Sequence, residues 1–126
     1  INSDFKVNIE IRRDLLYNLL MDNYQVVCTY EPCIYPGVKI QYFYNEGHER
    51  DETTAQGVCH CASGCDGKGD GTRGGKCKKI TISIFQSGCI LITGVTAIRH
   101  IDVGYAFITS ILKEHTERVK RVKLSL

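Results

Sequence analysis

The run Ile80-Thr81-Ile82-Ser83-Ile84-Phe85-Gln86-Ser87-Gly88-Cys89-Ile90-Leu91-Ile92-Thr93-Gly94 reads as a β-hairpin. Residues 80–85 and 89–93 alternate with the two-residue period of strands, and Gln86-Ser87-Gly88 supplies the turn between them. Side chains two apart share a face of a strand. Ile80, Ile82 and Ile84 therefore point one way, with Thr81, Ser83 and Phe85 opposite. Across the turn, Ile90 and Ile92 share one face, and Cys89, Leu91 and Thr93 share the other. The isoleucines belong to the core, which leaves Ser83, Phe85, Leu91 and Thr93 on the second face.

Working outward, residues 1–5 suit a short strand. Residues 11–22 suit a helix, because Leu15, Leu16, Leu19 and Leu20 recur at helical spacing and Asp22-Asn23 marks a stop. Residues 24–30 and 38–44 alternate as strands, separated by Glu31-Pro32 and by the turn Tyr35-Pro36-Gly37. After Gly94 a long helix runs from about residue 96 to the low 120s, with Ile98, Ile101, Tyr105, Ile108 and Leu112 as its apolar stripe and Val119 and Val122 extending it. The order is strand, helix, four strands, helix. That is an α+β layer arrangement in which two helices cover one face of an antiparallel sheet. The other face must meet solvent or a partner.

That open face, read on the hairpin, carries small hydroxyls, a leucine and a phenylalanine, with no Lys or Glu. An uncharged, partly apolar exposed face is a binding surface. It packs on another sheet or subunit, or it enters a DNA minor groove. The minor-groove floor presents mostly acceptors and admits small side chains, while aromatic wedges unstack base steps. Phe85 stands at the end of its strand, where a wedge would be.

Bulk properties narrow the field without deciding it. The chain has 126 residues, 43% hydrophobic and 24% charged, the balance of a single ordinary globular domain. No apolar run approaches the ~18 residues of a membrane span, and no secretory signal is visible. A first residue of Ile1 instead of Met is expected of a fragment or a trimmed product. The net charge of +2 is too small to establish a polyanionic partner. Glu46, Glu49, Asp51 and Glu52 make one segment acidic, and Lys113, Arg118, Lys120, Arg121 and Lys123 make the tail basic. The tail is a solvated helix end suited to the dipole or a partner contact; both readings stay open.

Residues 45–79 break the pattern, being rich in Gly and charge and poor in large apolar residues, and read as an insertion. Four of the seven cysteines lie there, spaced C-x-C-x3-C-x11-C: Cys59, Cys61, Cys65 and Cys77. An odd total forbids complete internal pairing and points to a reduced, intracellular chain. Four thiolates close a tetrahedral structural zinc site, with His48 and His60 as spare ligands. A reduced disordered loop and disulfides are the alternatives. Residues 67–75 imitate a phosphate loop only superficially, since no Gly-Lys-Ser/Thr and no helix follows. Cys28, Cys33 and Cys89 read as small hydrophobes, Cys33 being the exposed one.

Tyr30-Glu31-Pro32-Cys33-Ile34-Tyr35-Pro36-Gly37 resembles the Y-E-P-E-L-F-P-G segment of the second repeat of the TATA-box-binding protein family. Ile84-Phe85-Gln86-Ser87-Gly88 and Ile90-Leu91-Ile92-Thr93-Gly94 resemble that family's I-F-x-S-G and V-V-L-T-G, and Ile11-Arg12 resembles its I-R-L. The resemblance covers most of the chain outside the insertion. It implies residues 1–126 as one repeat: a curved five-stranded antiparallel sheet with two helices on its convex face, half of a saddle whose concave side lies in the minor groove. By the same resemblance, Phe85 is an intercalating aromatic and Tyr35 stands where the family has another. Thr93 and Leu91 match groove-floor positions, Ser83 replaces a leucine, Ile1 matches a central valine, and Gln41 joins the DNA-facing set. A cysteine-rich insertion at this point resembles the divergent relatives of large DNA viruses.

The function expected from the resemblance is binding and bending of A·T-rich double-stranded DNA in transcription initiation. Its partners would be general initiation factors and the RNA polymerase machinery. The protein would work in the nucleus or at a viral replication site in the cytoplasm, as a homodimer or joined to a second repeat. The alternative is a protein-interaction module on the same fold. No enzyme is expected: Asp14, Glu31, Asp102 and Glu114 fall on different elements, His100 and His115 read as solvated, and no nucleophile sits beside a base.

Overall fold

The computed structural model describes residues 2–49, 55–61, 65–72 and 75–122. Strands β1 (Ser3–Lys6), β2 (Val27–Thr29), β3 (Val38–Tyr44), β4 (Lys78–Ile84) and β5 (Cys89–Thr93) form one open antiparallel sheet in the order β1-β5-β4-β3-β2. Helix α1 (Arg13–Asn23) connects β1 to β2, and α3 (Ile98–Glu114) follows β5. Two single-turn helices, α2 (Glu46–Glu49) and α4 (Thr116–Val119), complete the described elements. The architecture is α+β, as the alternation and the helix spacing predict.

Pairing registers confirm the faces. Val38, Ile40 and Tyr42 of β3 oppose Ile84, Ile82 and Ile80 of β4, and Ile82 and Ile84 oppose Ile92 and Ile90 of β5. All of these are fully buried, together with Leu16, Leu19 and Leu20 of α1 and Ile108 and Ile111 of α3. Gly104 lets α3 settle onto the sheet. A Cβ there would come within 3.3 Å of Ile92 Cδ1 and 3.6 Å of Ile82 Cδ1. At the β4–β5 turn, Gly88 has φ +90, and any Cβ would meet the Ile9 carbonyl oxygen at 2.4 Å, so only glycine fits.

The last helix departs from expectation in three ways. It breaks at His115, whose φ and ψ of -113 and 25 leave the helical basin, and restarts as α4. Its buried stripe is His100, Gly104, Phe107, Ile108, Ile111 and Leu112, whereas Ile98, Tyr105 and Val122 face outward. The stripe is thus rotated from the one that large apolar residues suggest, because a glycine and a histidine hold core positions that hydropathy does not mark. His100, expected in solvent, is fully buried: Nδ1 accepts from the Thr96 backbone N–H at 3.3 Å, and the ring lies 4.7 Å from that of Tyr44.

Candidate nucleic-acid face and metal centre

The helix-free face is built in rows across the sheet. Leu91, Ser83, Lys39 and Thr29 form one row; Thr93, Thr81, Gln41 and Val27 form the next. On β1, Asp4 and Lys6 stand opposite Leu91 and Cys89. Thr81 Oγ1 donates to Gln41 Oε1 at 3.1 Å, which fixes the amide on the face. Ser83 lies on this face but is only 2% exposed, so it forms a floor between Leu91 and Lys39 and not a projecting contact.

The full face corrects the uncharged surface read from the hairpin alone. Lys39 and Lys79 enter from β3 and β4, and Lys6 and Asp4 from β1. The hairpin pattern could not show them, because Lys6 and Lys39 lie on other strands and Lys79 falls in the stretch that reads as insertion. Alternation within residues 38–44 carried the signal for Lys39, which shares parity with Gln41.

At one end of the face Tyr35 and Phe85 come together from separate loops, with ring centroids 5.7 Å apart and planes inclined by 53°. Gly37 makes this contact. A Cβ at that position would lie 2.9 Å from Tyr35 Cε2 and 3.0 Å from Phe85 Cε1. Lys39 Nζ sits 4.0 Å from the Tyr35 ring centroid, within cation–π range. From behind, Arg13 donates to the Pro36 carbonyl and to Gln86 Oε1, tying both loops to the start of α1. Ile1, expected on this face, lies outside the described residues.

At the opposite end the insertion folds back onto the sheet. Phe43 N–H donates to the Gly57 carbonyl at 2.8 Å, and Lys79 N–H to the Gly67 carbonyl at 2.8 Å. These bonds place insertion backbone on both flanks of the β3–β4 pair. Cys59, Cys61, Cys65 and Cys77 converge there, with all four sulfurs within 4.8 Å of one another, and could hold a metal ion. Cys61 Sγ and Cys77 Sγ are 3.7 Å apart. That matches the ~3.8 Å edge of a tetrahedron of sulfurs ~2.3 Å from a central ion.

The surroundings suit bound thiolates. Cys65 accepts from the Gly67 backbone N–H, which brings its thiol down to about 7. Burial pushes the Cys59 and Cys77 thiols up, and a cation among the four sulfurs would favour their ionised forms. Asn45 is buried at the end of β3; its Nδ2 lies 3.8 Å from Cys77 Sγ and donates to the Gly75 carbonyl at 2.8 Å. Sequence reasoning did not single out Asn45, whose only signal was adjacency to the strand end. His60 is exposed and outside the sulfur cluster, and the His48 side chain lies outside the described residues.

No helix of the described residues is long and apolar enough to cross a membrane. No protein-family model, no curated protein and no solved structure matches this chain.

Proposed function

We propose that the helix-free face binds double-stranded DNA in the minor groove, with preference for A·T-rich sequence, and that the chain serves in transcription initiation. One observation carries this reading: Tyr35 and Phe85 stand together at the end of a face of hydroxyls, an amide and Leu91. Among the described strand residues, the charges on that face are Lys6, Lys39 and Lys79 against Asp4. Paired aromatics suit entry between base steps, small side chains suit a groove floor of acceptors, and lysines suit the phosphate walls. The resemblance to the TATA-box-binding protein family supports the choice of groove and process; initiation factors and the polymerase machinery are the partners it brings.

The second part of the proposal is that the sulfur cluster holds a structural zinc ion. A set of four thiolates favours zinc among hard and borderline cations and saturates it, which suits structure and not catalysis. A reduced intracellular setting, nuclear or at a viral replication site, fits such thiolates. The third part is self-association. Among the described residues, β1 is an edge strand paired with β5 alone. Antiparallel pairing of two copies about Phe5 would set Asp4 of each against Lys6 of the other, and an equivalent second repeat would serve the same end.

Fluorescence anisotropy with A·T-rich and G·C-rich duplexes tests the central claim. Tight, A·T-preferring binding that is clearly weakened by Phe85→Ala supports it; absence of binding at low salt refutes it. A protein-interaction module is the second reading, and it draws on Ile34, 79% exposed in the loop that carries Tyr35.

A further inference from the structure

We infer that the cysteine insertion is part of the nucleic-acid surface, and that Lys79 and Phe43, held by its Gly67 and Gly57 segments, form a third contact row whose strength depends on the bound metal. This rests on the DNA reading proposed above.

Phe43 and Lys79 oppose one another across β3 and β4 on the helix-free face, one step beyond Gln41 and Thr81. Neither β2 nor β5 reaches that far, so their row would end in open strand edges. The insertion completes it. Gly57 takes the Phe43 N–H on the β2 side, and Gly67 takes the Lys79 N–H on the β5 side. The antiparallel bridge between Lys68 and Lys78 extends the second pairing.

Both flanking residues are glycines with positive φ, +78 and +75. A Cβ on Gly67 would lie 2.5 Å from Lys79 Cβ and 3.3 Å from Phe43 Cε1. At Gly67 the flank of the row is thus bare backbone pressed against the lysine stem and the ring, with exposed Asp66 and Lys68 on either side of it. Gly67 is two residues from Cys65, and Lys79 is two residues from Cys77. The metal ligands therefore bracket the Gly67–Lys79 pairing, and occupancy of the sulfur cluster fixes the segment that holds the lysine. Lys79 itself is exposed and meets a backbone phosphate as a point charge.

The test is an anisotropy titration of a labelled A·T-rich duplex at several salt concentrations. It uses the zinc-loaded protein, the same protein after a strong chelator, the Lys79→Gln variant, and Phe85→Ala as reference. Far-ultraviolet circular dichroism reports whether the chelated chain keeps its fold. Lys79→Gln is expected to weaken binding severalfold and to lower the salt slope by about one. Chelation should produce a comparable loss in the parent and little further loss in Lys79→Gln. Unchanged affinity and slope in Lys79→Gln, with binding still weakened in Phe85→Ala, would overturn the inference and leave the DNA reading intact. Undiminished binding by the chelated, folded protein would overturn it in the same way. If chelation unfolds the chain, Lys79→Gln alone decides. Failure of every form to bind duplex removes both.

Discussion

Tyr35 and Phe85, fifty residues apart in sequence, pack with ring centroids 5.7 Å apart over Gly37, so two loops present one aromatic end to the helix-free face. Removing either ring should affect binding more than folding, because both are only partly buried. Phe85→Ala is expected to cost about 1–3 kcal/mol in duplex affinity, the typical worth of one stacked aromatic. Its urea midpoint should stay close to the parent's. Tyr35→Phe should retain binding, since the ring and not the hydroxyl supplies the contact. Anisotropy and urea denaturation measured on the same preparations check both statements.

The two faces of β4 and β5 make opposite stability predictions. Ile82 is fully buried between Ile40 and Ile92, so Ile82→Ala should destabilise the fold by about 2–5 kcal/mol. Leu91 is half-buried on the open side, and Leu91→Ala should cost under ~1 kcal/mol of stability while weakening duplex binding. Equal destabilisation by the two substitutions would reverse the assignment of faces.

Metal content gives a direct check on the sulfur cluster. Purified under reducing conditions, the chain is expected to carry one zinc, measured by atomic emission. Cobalt substitution should give the intense visible bands of a tetrahedral thiolate site. Cys77→Ser should lose the metal, since Cys77 is the buried member and the one Asn45 approaches. Cys33→Ser, at an exposed position away from the cluster, should leave metal content unchanged.

His100 should make stability fall on the acid side. Its pKa is lowered, first by burial and then by Arg99 and Lys78, with Glu46 opposing them. A lowered folded value means that the unfolded chain takes up the proton first as pH drops through the ordinary imidazole range near ~6.5. The stability is therefore complete above that range and declines below it, down to the folded value. Urea midpoints between pH 7.5 and 5.5 should drop less in His100→Gln than in the parent; equal drops would clear His100 of the effect.

Charge reversal tests the edge of β1. Asp4→Lys alone should weaken any dimer seen by sedimentation equilibrium, and adding Lys6→Asp should restore it, because the reciprocal pairing is re-formed with signs exchanged. A strict monomer in all three forms would remove this mode of association.

The sequence carried the central hairpin almost in full. Period-two alternation with isoleucine at every inward position of residues 80–84 leaves one workable register, and the structure adopts it. Residues 38–44 were equally legible. What escaped notice depended on partners distant in the chain. His100 and Gly104 hold core positions on α3 that no hydropathy pattern marks, because their places are set by Tyr44, Ile82 and Ile92. Lys39 and Lys79 join the open face only when β3 and β4 are set in register. The cysteine spacing foretold a cluster, and the structure brings the four sulfurs together. That the cluster lies against the sheet followed from Gly57 and Gly67 pairing with Phe43 and Lys79, which no local motif encodes.

The register that sets Tyr44 opposite Lys78 has a consequence for protein engineering. The whole excursion leaves and re-enters the sheet at two neighbouring points one strand spacing (~4.8 Å) apart. A two-residue Asn-Gly turn can bridge that gap, yielding a miniature in which the hydrophobic layer between sheet and helices persists without the sulfur centre. Such a shortened protein separates what the bare scaffold can grip from what its grafted appendage adds.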